Sequence, residues 1–264
     1  YIVTCRLFGI FPVKDIEVVL VDGDAVYAGG MPIGIYVKTS GVLVIGTSEV
    51  ERPDGSEAAP AENILKAGDY ILSVNGEKVA EKEDLQRLVQ QNGAEKEILK
   101  INRKGEEVEV GVTPVQNKNG TYMLGAWVRD DLAGIGTLTY YKEDGTYGAL
   151  GHAVSDGDVG GRIQMSEGYV YNAQIIGVKK GQKGNPGELS GMIRYQSADC
   201  LGTIEENTDI GIYGKLDGNI AALPRGDYYN ICYKQDIKQG PATIICGFTG
   251  EKKEYAIEIE SLDY

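Results

Sequence analysis

The sequence predicts a mainly β protein with one short α+β segment. Three observations carry this. Glycine reaches 37 and tyrosine 17 of 264 residues, which, with abundant Val and Ile, suits strands joined by tight turns. Apolar and polar residues alternate with a period of two in many short runs. Helical spacing is clear over one stretch, Glu83 to Gln91, where Leu85, Leu88 and Val89 fall on one face.

The length allows one large or two small domains and a real core. Lys plus Arg is 26 against 39 for Asp plus Glu, a formal charge of -13. That balance argues against a nucleic-acid partner, which needs a basic patch, and against anionic lipid. His152 is the single histidine, so a multi-histidine metal site is excluded and no metal is expected. Nothing requires an organic cofactor. Cys5, Cys200, Cys232 and Cys246 form no CxxC pair; they read as buried free thiols, with one disulfide open if the chain is exported. No run of about 18 apolar residues is present to span a membrane. The chain starts at Tyr1 without Met or a charged leader, as expected of a piece whose upstream membrane anchor is missing.

In chain order, residues 1–27 alternate as one or two strands around Asp15–Val21. Gly29-Gly30 leads into a strand at Ile33–Val37, and Gly41–Gly46 reads as a second, buried strand. Residues 51–61 form a polar loop. Asn63–Asp69 is a short helical turn closed by Gly68. Tyr70–Val74 is a strand that ends in the tight-turn dipeptide Asn75-Gly76. The amphipathic helix comes next and stops at Gly93. Ile98–Arg103 and Glu107–Val112 alternate cleanly about Lys104-Gly105 and form a hairpin.

The run Leu65-x-Ala67-Gly68-Asp69-x-Ile71-Leu72-x-Val74-Asn75-Gly76, then the helix, the hairpin and Pro114, resembles a PDZ domain of the kind found in bacterial proteases. The resemblance implies a peptide-binding groove between a strand edge and the amphipathic helix. It places Ile33, Gly34 and Ile35 on that strand and Leu85 and Val89 on the helix. A peptide C-terminus would add as a strand, its carboxylate held by backbone N–H groups near Gly34.

Past Asn117–Gly120 the texture changes to short strands and frequent glycines, which argues for a β-barrel or sandwich. His152 sits among small residues, between Gly151 and Ala153. Such a histidine suits a general base and equally a ring satisfied by a backbone carbonyl.

Several clusters here resemble the stage IV sporulation protein B family of serine peptidases. They are Arg129-Asp130-x-x-Ala133-Gly134-Ile135-Gly136-Thr137-Leu138-Thr139, Gly148-Ala149-Leu150-Gly151-His152-x-x-Ser155-Asp156, Gly184–Glu188, Gly211–Gly214 and Lys238–Ile244. Leu7–Asp15 and the preceding PDZ-like segment fit the same pattern. The resemblance implies a PDZ domain followed by a partial chymotrypsin-like β-barrel peptidase domain. The divisions are an N-terminal strand segment (1–28), a PDZ domain (29–115) and the peptidase domain (120–264).

It further implies a serine endopeptidase of sporulation signalling. Exported or anchored between the forespore and mother-cell membranes, the enzyme would cleave a protein regulator of an intramembrane protease and so activate a late sigma factor. Any membrane contact would come through the missing N-terminal anchor. His152 is the catalytic histidine on this resemblance. The family's serine motif, Gly-Met-Ser-Gly-Ser-Pro, does not occur in this sequence. The chain is therefore expected to end before its acid and nucleophile and to be inactive alone. The alternative is a non-catalytic homologue that acts through its PDZ domain. Ser155 and Ser190 read as turn or capping residues, and Asp156 and Asp158 as exposed turn carboxylates.

Overall fold

The structure, a computed structural model, describes residues 1–18, 23–217, 227–248 and 251–263. β1 (Ile2–Leu7) and β2 (Phe11–Glu17) pair as a hairpin in which every strand residue is exposed. β3 (Ala25–Thr47) is 23 residues long and is the backbone element around which both sheets are built. Two separate strands are expected here from sequence; they are one because Gly41 takes φ +95°, and a Cβ there would meet the Ile71 carbonyl oxygen at 2.6 Å. Glycine lets the strand bend and change sheets without ending.

β4 (Val50–Glu51) and β5 (Glu57–Ala58) form a small ribbon within the expected polar loop. β6 (Tyr70–Val74) turns through Asn75-Gly76, both at positive φ, into β7 (Glu77–Lys78). Helix α1 (Lys82–Asn92) buries Leu85, Leu88 and Val89 and ends at Gly93. β8 (Glu97–Arg103) and β9 (Glu106–Val112) are the expected hairpin. β10 (Val115–Gln116) and β11 (Tyr122–Met123) make a short ribbon.

The remaining strands are β12 (Ala126–Tyr141), β13 (Thr146–Ala149), β14 (Met165–Lys179), β15 (Glu188–Ile193), β16 (Cys200–Thr208), β17 (Gly211–Leu216) and β18 (Tyr228–Asn230). A last hairpin joins β19 (Gly240–Cys246) to β20 (Lys253–Ile259).

β3 and β12 each serve two sheets. Their inner ends, Leu43–Thr47 and Ala126–Arg129, pair with each other. From there a sheet runs in the order β12, β3, β6, β8, β9. α1 packs on it over a core of Val42, Val44, Ile71, Leu88, Leu99 and Ile101. Their outer ends lie in a second sheet that closes on itself. β3 pairs with β12, β12 with β13, β13 with β17, β17 with β16, β16 with β14, and β14 with β3 again. The result is a closed six-stranded antiparallel barrel. Closure removes the unpaired edges that an open sheet exposes.

Ile33, Ile35, Val37, Leu138, Tyr147, Val170 and Ile212 fill the barrel. Each large aliphatic side chain buried this way contributes roughly 1.5–3 kcal/mol. Tyr147 donates its hydroxyl to the Thr203 carbonyl at 3.0 Å, and burial pushes its phenol up. The barrel therefore uses residues on both sides of the smaller sheet in sequence, and the boundary drawn at residue 29 falls inside β3. The expected mainly β fold with a barrel is present, and the barrel's ring of strand pairings closes. Its six strands all lie between residues 25 and 216.

A third cluster, Leu43, Tyr70 and Ile163 with Val159 and Leu132 against it, joins the two bodies. All four cysteines are free, and none is buried as expected: Cys5 and Cys232 are exposed, Cys200 and Cys246 half-buried. Among the described residues no helix is long and apolar enough to cross a membrane.

Candidate active site and peptide groove

His152 follows β13 on the barrel. Leu150 (φ +72°) and Gly151 (φ +120°) turn the chain out of the strand. The Leu150 N–H donates to the Thr137 carbonyl at 3.0 Å, which pins the turn to β12. His152 itself is exposed. Its Nδ1 lies 2.8 Å from the Ala153 carbonyl oxygen. A carbonyl only accepts, so Nδ1 carries the proton and Nε2 keeps its lone pair in the neutral ring. That is the tautomer a general base uses. The ring borders a cleft of about 170 Å³ walled by Ile35, Leu132, Gly134, Ile135, Leu150 and Ser155.

Among the described residues neither a serine hydroxyl nor a carboxylate hydrogen-bonds to the ring. Ser155 lies beside His152 in the cleft and forms an isolated bridge with Arg162. Ser190 is within β15, opposite Gly177, rather than in a turn. Asp158 is exposed as expected, but Asp156 is buried. Its carboxylate pairs with Arg129 and accepts the N–H groups of Asp158 at 2.8 Å and Val159 at 3.1 Å. An acid so engaged fixes a loop; it is not aimed at His152. Among the described residues, no group of three or more His, Cys, Asp or Glu comes together to hold a metal.

A second cleft lies between α1 and the start of β12. It encloses about 560 Å³ and is lined by Leu85, Gln86, Val89, Gln90, Tyr122, Leu124, Gly125, Ala126 and Val128. Ala126–Arg129 pairs with β3 along one edge, and among the described residues no strand pairs with the other edge, which faces the helix. Gly125 enters the strand at φ +67°, and a Cβ there would meet the Ser48 carbonyl oxygen at 2.6 Å. The Gln90 side-chain oxygen accepts the Tyr122 N–H at 3.0 Å and ties this entry loop to the helix.

Leu85 and Val89 thus line a groove beside an open strand edge. Ile33, Gly34 and Ile35 do not. They stand in the barrel wall, paired on one side with β12 and on the other with β14. A Cβ on Gly34 would meet Ile193 Cγ2 at 2.5 Å. The physical reason is that a strand with partners on both edges has no free N–H row to offer a peptide. The strand beside the helix comes instead from the segment after the hairpin. Its signal in the sequence is Tyr122-Met123-Leu124-Gly125-Ala126, an apolar run broken by one glycine at the strand entry.

A family model for the SpoIVB peptidase S55 matches residues 120–264, more than half of the chain. The chain belongs to the SpoIVB peptidase S55 family. A PDZ domain model matches residues 53–103, which hold β6, α1 and β8. No curated protein matches the chain. The S55 match covers β12, the His152 turn and all later strands, and so includes the open edge of the groove as well as the cleft at His152. In this S55 peptidase the PDZ match and the S55 match face each other across the groove, where α1 lies beside Tyr122–Val128.

Proposed function

We propose that this S55-family protein acts as a serine endopeptidase of sporulation signalling, with His152 as its general base. The substrate is a protein regulator of an intramembrane protease, met between the forespore and mother-cell membranes, to which the enzyme is exported. The observation that carries the reading is His152 itself, exposed beside an apolar cleft with its Nδ1 proton engaged and Nε2 left to accept one. A base of this kind takes the proton of an attacking hydroxyl and returns it to the leaving amine. Acid and nucleophile are not recognisable among residues 1–264, so we infer that this stretch alone does not turn over.

The PDZ part contributes peptide capture. A hydrophobic C-terminus adds as a strand to Ala126–Val128, with apolar side chains against Leu85 and Val89 and its carboxylate at the Tyr122–Gly125 loop. This replaces Ile33–Ile35 as the groove strand. A second reading, a non-catalytic peptide-binding homologue, is favoured by the absence of a serine bonded to His152 among the described residues. Cleavage of a regulator substrate by the full-length protein, and its loss in His152→Ala with peptide binding kept, decides between them. Cleavage unaffected by His152→Ala overturns the assignment of the base; peptide binding without cleavage in the full-length wild type favours the second reading.

A further inference from the structure

We propose that Arg129 is a positioning residue for His152: from the strand that edges the peptide groove it holds the loop on which the histidine stands. The inference rests on the reading of His152 as the base.

The loop from His152 to Gln164 has few anchors in the barrel. Asn207 supplies three, accepting the Val154 N–H and donating to the carbonyls of Val154 and Ile163. Arg162 adds an exposed ion pair with Asp209 at 3.5 Å, and the Ser40 N–H of β3 donates to the Gln164 carbonyl at 2.8 Å; the remaining ties come from Arg129 and Tyr70. Arg129 forks across the loop, with Nη1 on the Asp156 carboxylate and Nη2 3.3 Å from Asp158. Tyr70 Oη accepts the Gln164 N–H at 3.1 Å, and Ile163 packs in the cluster with Leu43 and Tyr70.

Asp156 is the centre of this arrangement. It lies four residues after His152, its side chain has no exposure, and its oxygens organise the turn at Asp158 and Val159 as well as meeting Arg129. Removing the guanidinium leaves a buried carboxylate with turn N–H partners but no countercharge, and the turn must open to hydrate it. Arg129 is itself one residue past Val128, which lines the groove, and one before Asp130. The Asp130 carboxylate accepts the Lys82 backbone N–H and Nζ, each at 2.9 Å, at the start of α1. Helix, groove strand and histidine loop are therefore joined through two consecutive side chains. Displacement of a catalytic group by about 1 Å costs on the order of 100-fold in rate, so a loosened loop is a catalytic defect without loss of any group that touches substrate.

The single histidine and single tryptophan make this testable residue by residue. The His152 imidazole gives the one histidine signal in an NMR spectrum of 13C-histidine-labelled protein. Trp127, on the groove strand and exposed, reports binding of a short peptide ending in Leu-Val with a free carboxylate. In Arg129→Gln we expect the His152 signal to shift and broaden, while peptide affinity stays within about twofold. In the full-length enzyme we expect kcat to fall about 100-fold at unchanged KM, with partial recovery in Arg129→Lys, which keeps a charge on Asp156 but loses the fork. If Arg129→Gln does not fold, Arg129→Lys and Asp158→Asn give the same readout at smaller amplitude. A His152 signal that stays in place in the folded variants overturns the proposal, whether or not His152→Ala abolishes cleavage. A fully active Arg129→Gln enzyme also overturns it.

Discussion

Arg129 and Asp156 form an ion pair across the junction of the two bodies, and the carboxylate is fully buried while about a third of the arginine side chain stays in solvent. The pair is asymmetric in what it can lose. Without Asp156, Arg129 rehydrates and keeps Asp158, but the N–H groups of Asp158 and Val159 lose their acceptor. Asp156→Ala is expected to destabilise the protein by about 3 kcal/mol, the low end for a broken buried pair because Arg129 retains water. Asp156→Asn keeps an acceptor for the turn and costs less. Urea midpoints at constant slope measure both. Equal midpoints for wild type and Asp156→Ala would show that the pair does not hold the junction.

Gly34 separates the two possible places for the groove. A Cβ at this position presses on Ile193 Cγ2 and Cγ1 at 2.5 and 2.8 Å, and a β-branched side chain has little room to rotate away. Gly34→Ala should cost about 1–3 kcal/mol of stability through overpacking while peptide affinity is unchanged. Ile193→Ala made in the same chain should recover part of the loss, a coupling that a double-mutant cycle reads directly. Weakened peptide binding in a stably folded Gly34→Ala would return the groove to β3.

Local signals in this chain are legible in the sequence and long-range partners are not. Asn75-Gly76 and Lys104-Gly105 mark turns by residue type alone, and both stand at positive φ. Leu85, Leu88 and Val89 give the helix face by spacing. By contrast, Asp69 reads only as part of a turn, yet its buried carboxylate takes Arg103 Nε at 2.8 Å and Nη2 at 2.7 Å from the end of the neighbouring strand β8, distant in sequence but adjacent in the sheet. The alternation at Ile33–Val37 is that of any strand with a buried face, so it carries no word on whether its edges are free. That ambiguity accounts for the groove strand being β12 where the sequence suggests β3. His152 is recognisable through its neighbouring motif; the residues that hold its loop, Arg129 and Tyr70, come from segments whose proximity depends on barrel closure.

Glu97 opens β8 with no side-chain exposure and no hydrogen-bond partner for either carboxylate oxygen among the described residues. Burial raises its carboxyl above the ordinary glutamate range; the Asn92 side chain opposes this in part but does not reach hydrogen-bond geometry with either oxygen. A carboxyl whose folded pKa exceeds its unfolded value favours the folded state while protonated. Stability is therefore full below about pH 4.3 and is lost as pH rises through the folded value, after which it is level. Glu97→Met removes the charge at similar length. We expect it to stabilise the protein at neutral pH by about 1–3 kcal/mol, the cost of an unsatisfied buried group, and to flatten this part of the pH dependence. Urea unfolding of both proteins between pH 4 and 8 is the measurement. Parallel curves would show that Glu97 finds solvent or a partner.

The carboxylate end of the groove is tested at Gln90, whose side-chain oxygen takes the Tyr122 N–H at 3.0 Å. Gln90→Ala frees the entry loop ahead of Gly125. The loss of one hydrogen bond of ordinary strength, about 1 kcal/mol, corresponds to roughly fivefold weaker binding of a peptide ending in Leu-Val, followed by Trp127 emission. Gln90→Glu is the sharper variant. A glutamate still accepts from Tyr122 and keeps the loop in place, but it sets a negative charge beside the site assigned to the peptide carboxylate. It should weaken binding of the free-acid peptide more than that of the C-terminally amidated peptide, and added salt should narrow the difference because the two charges face solvent. Equal losses for the two peptides would place the carboxylate elsewhere, and the strand polarity proposed for the groove would reverse with it.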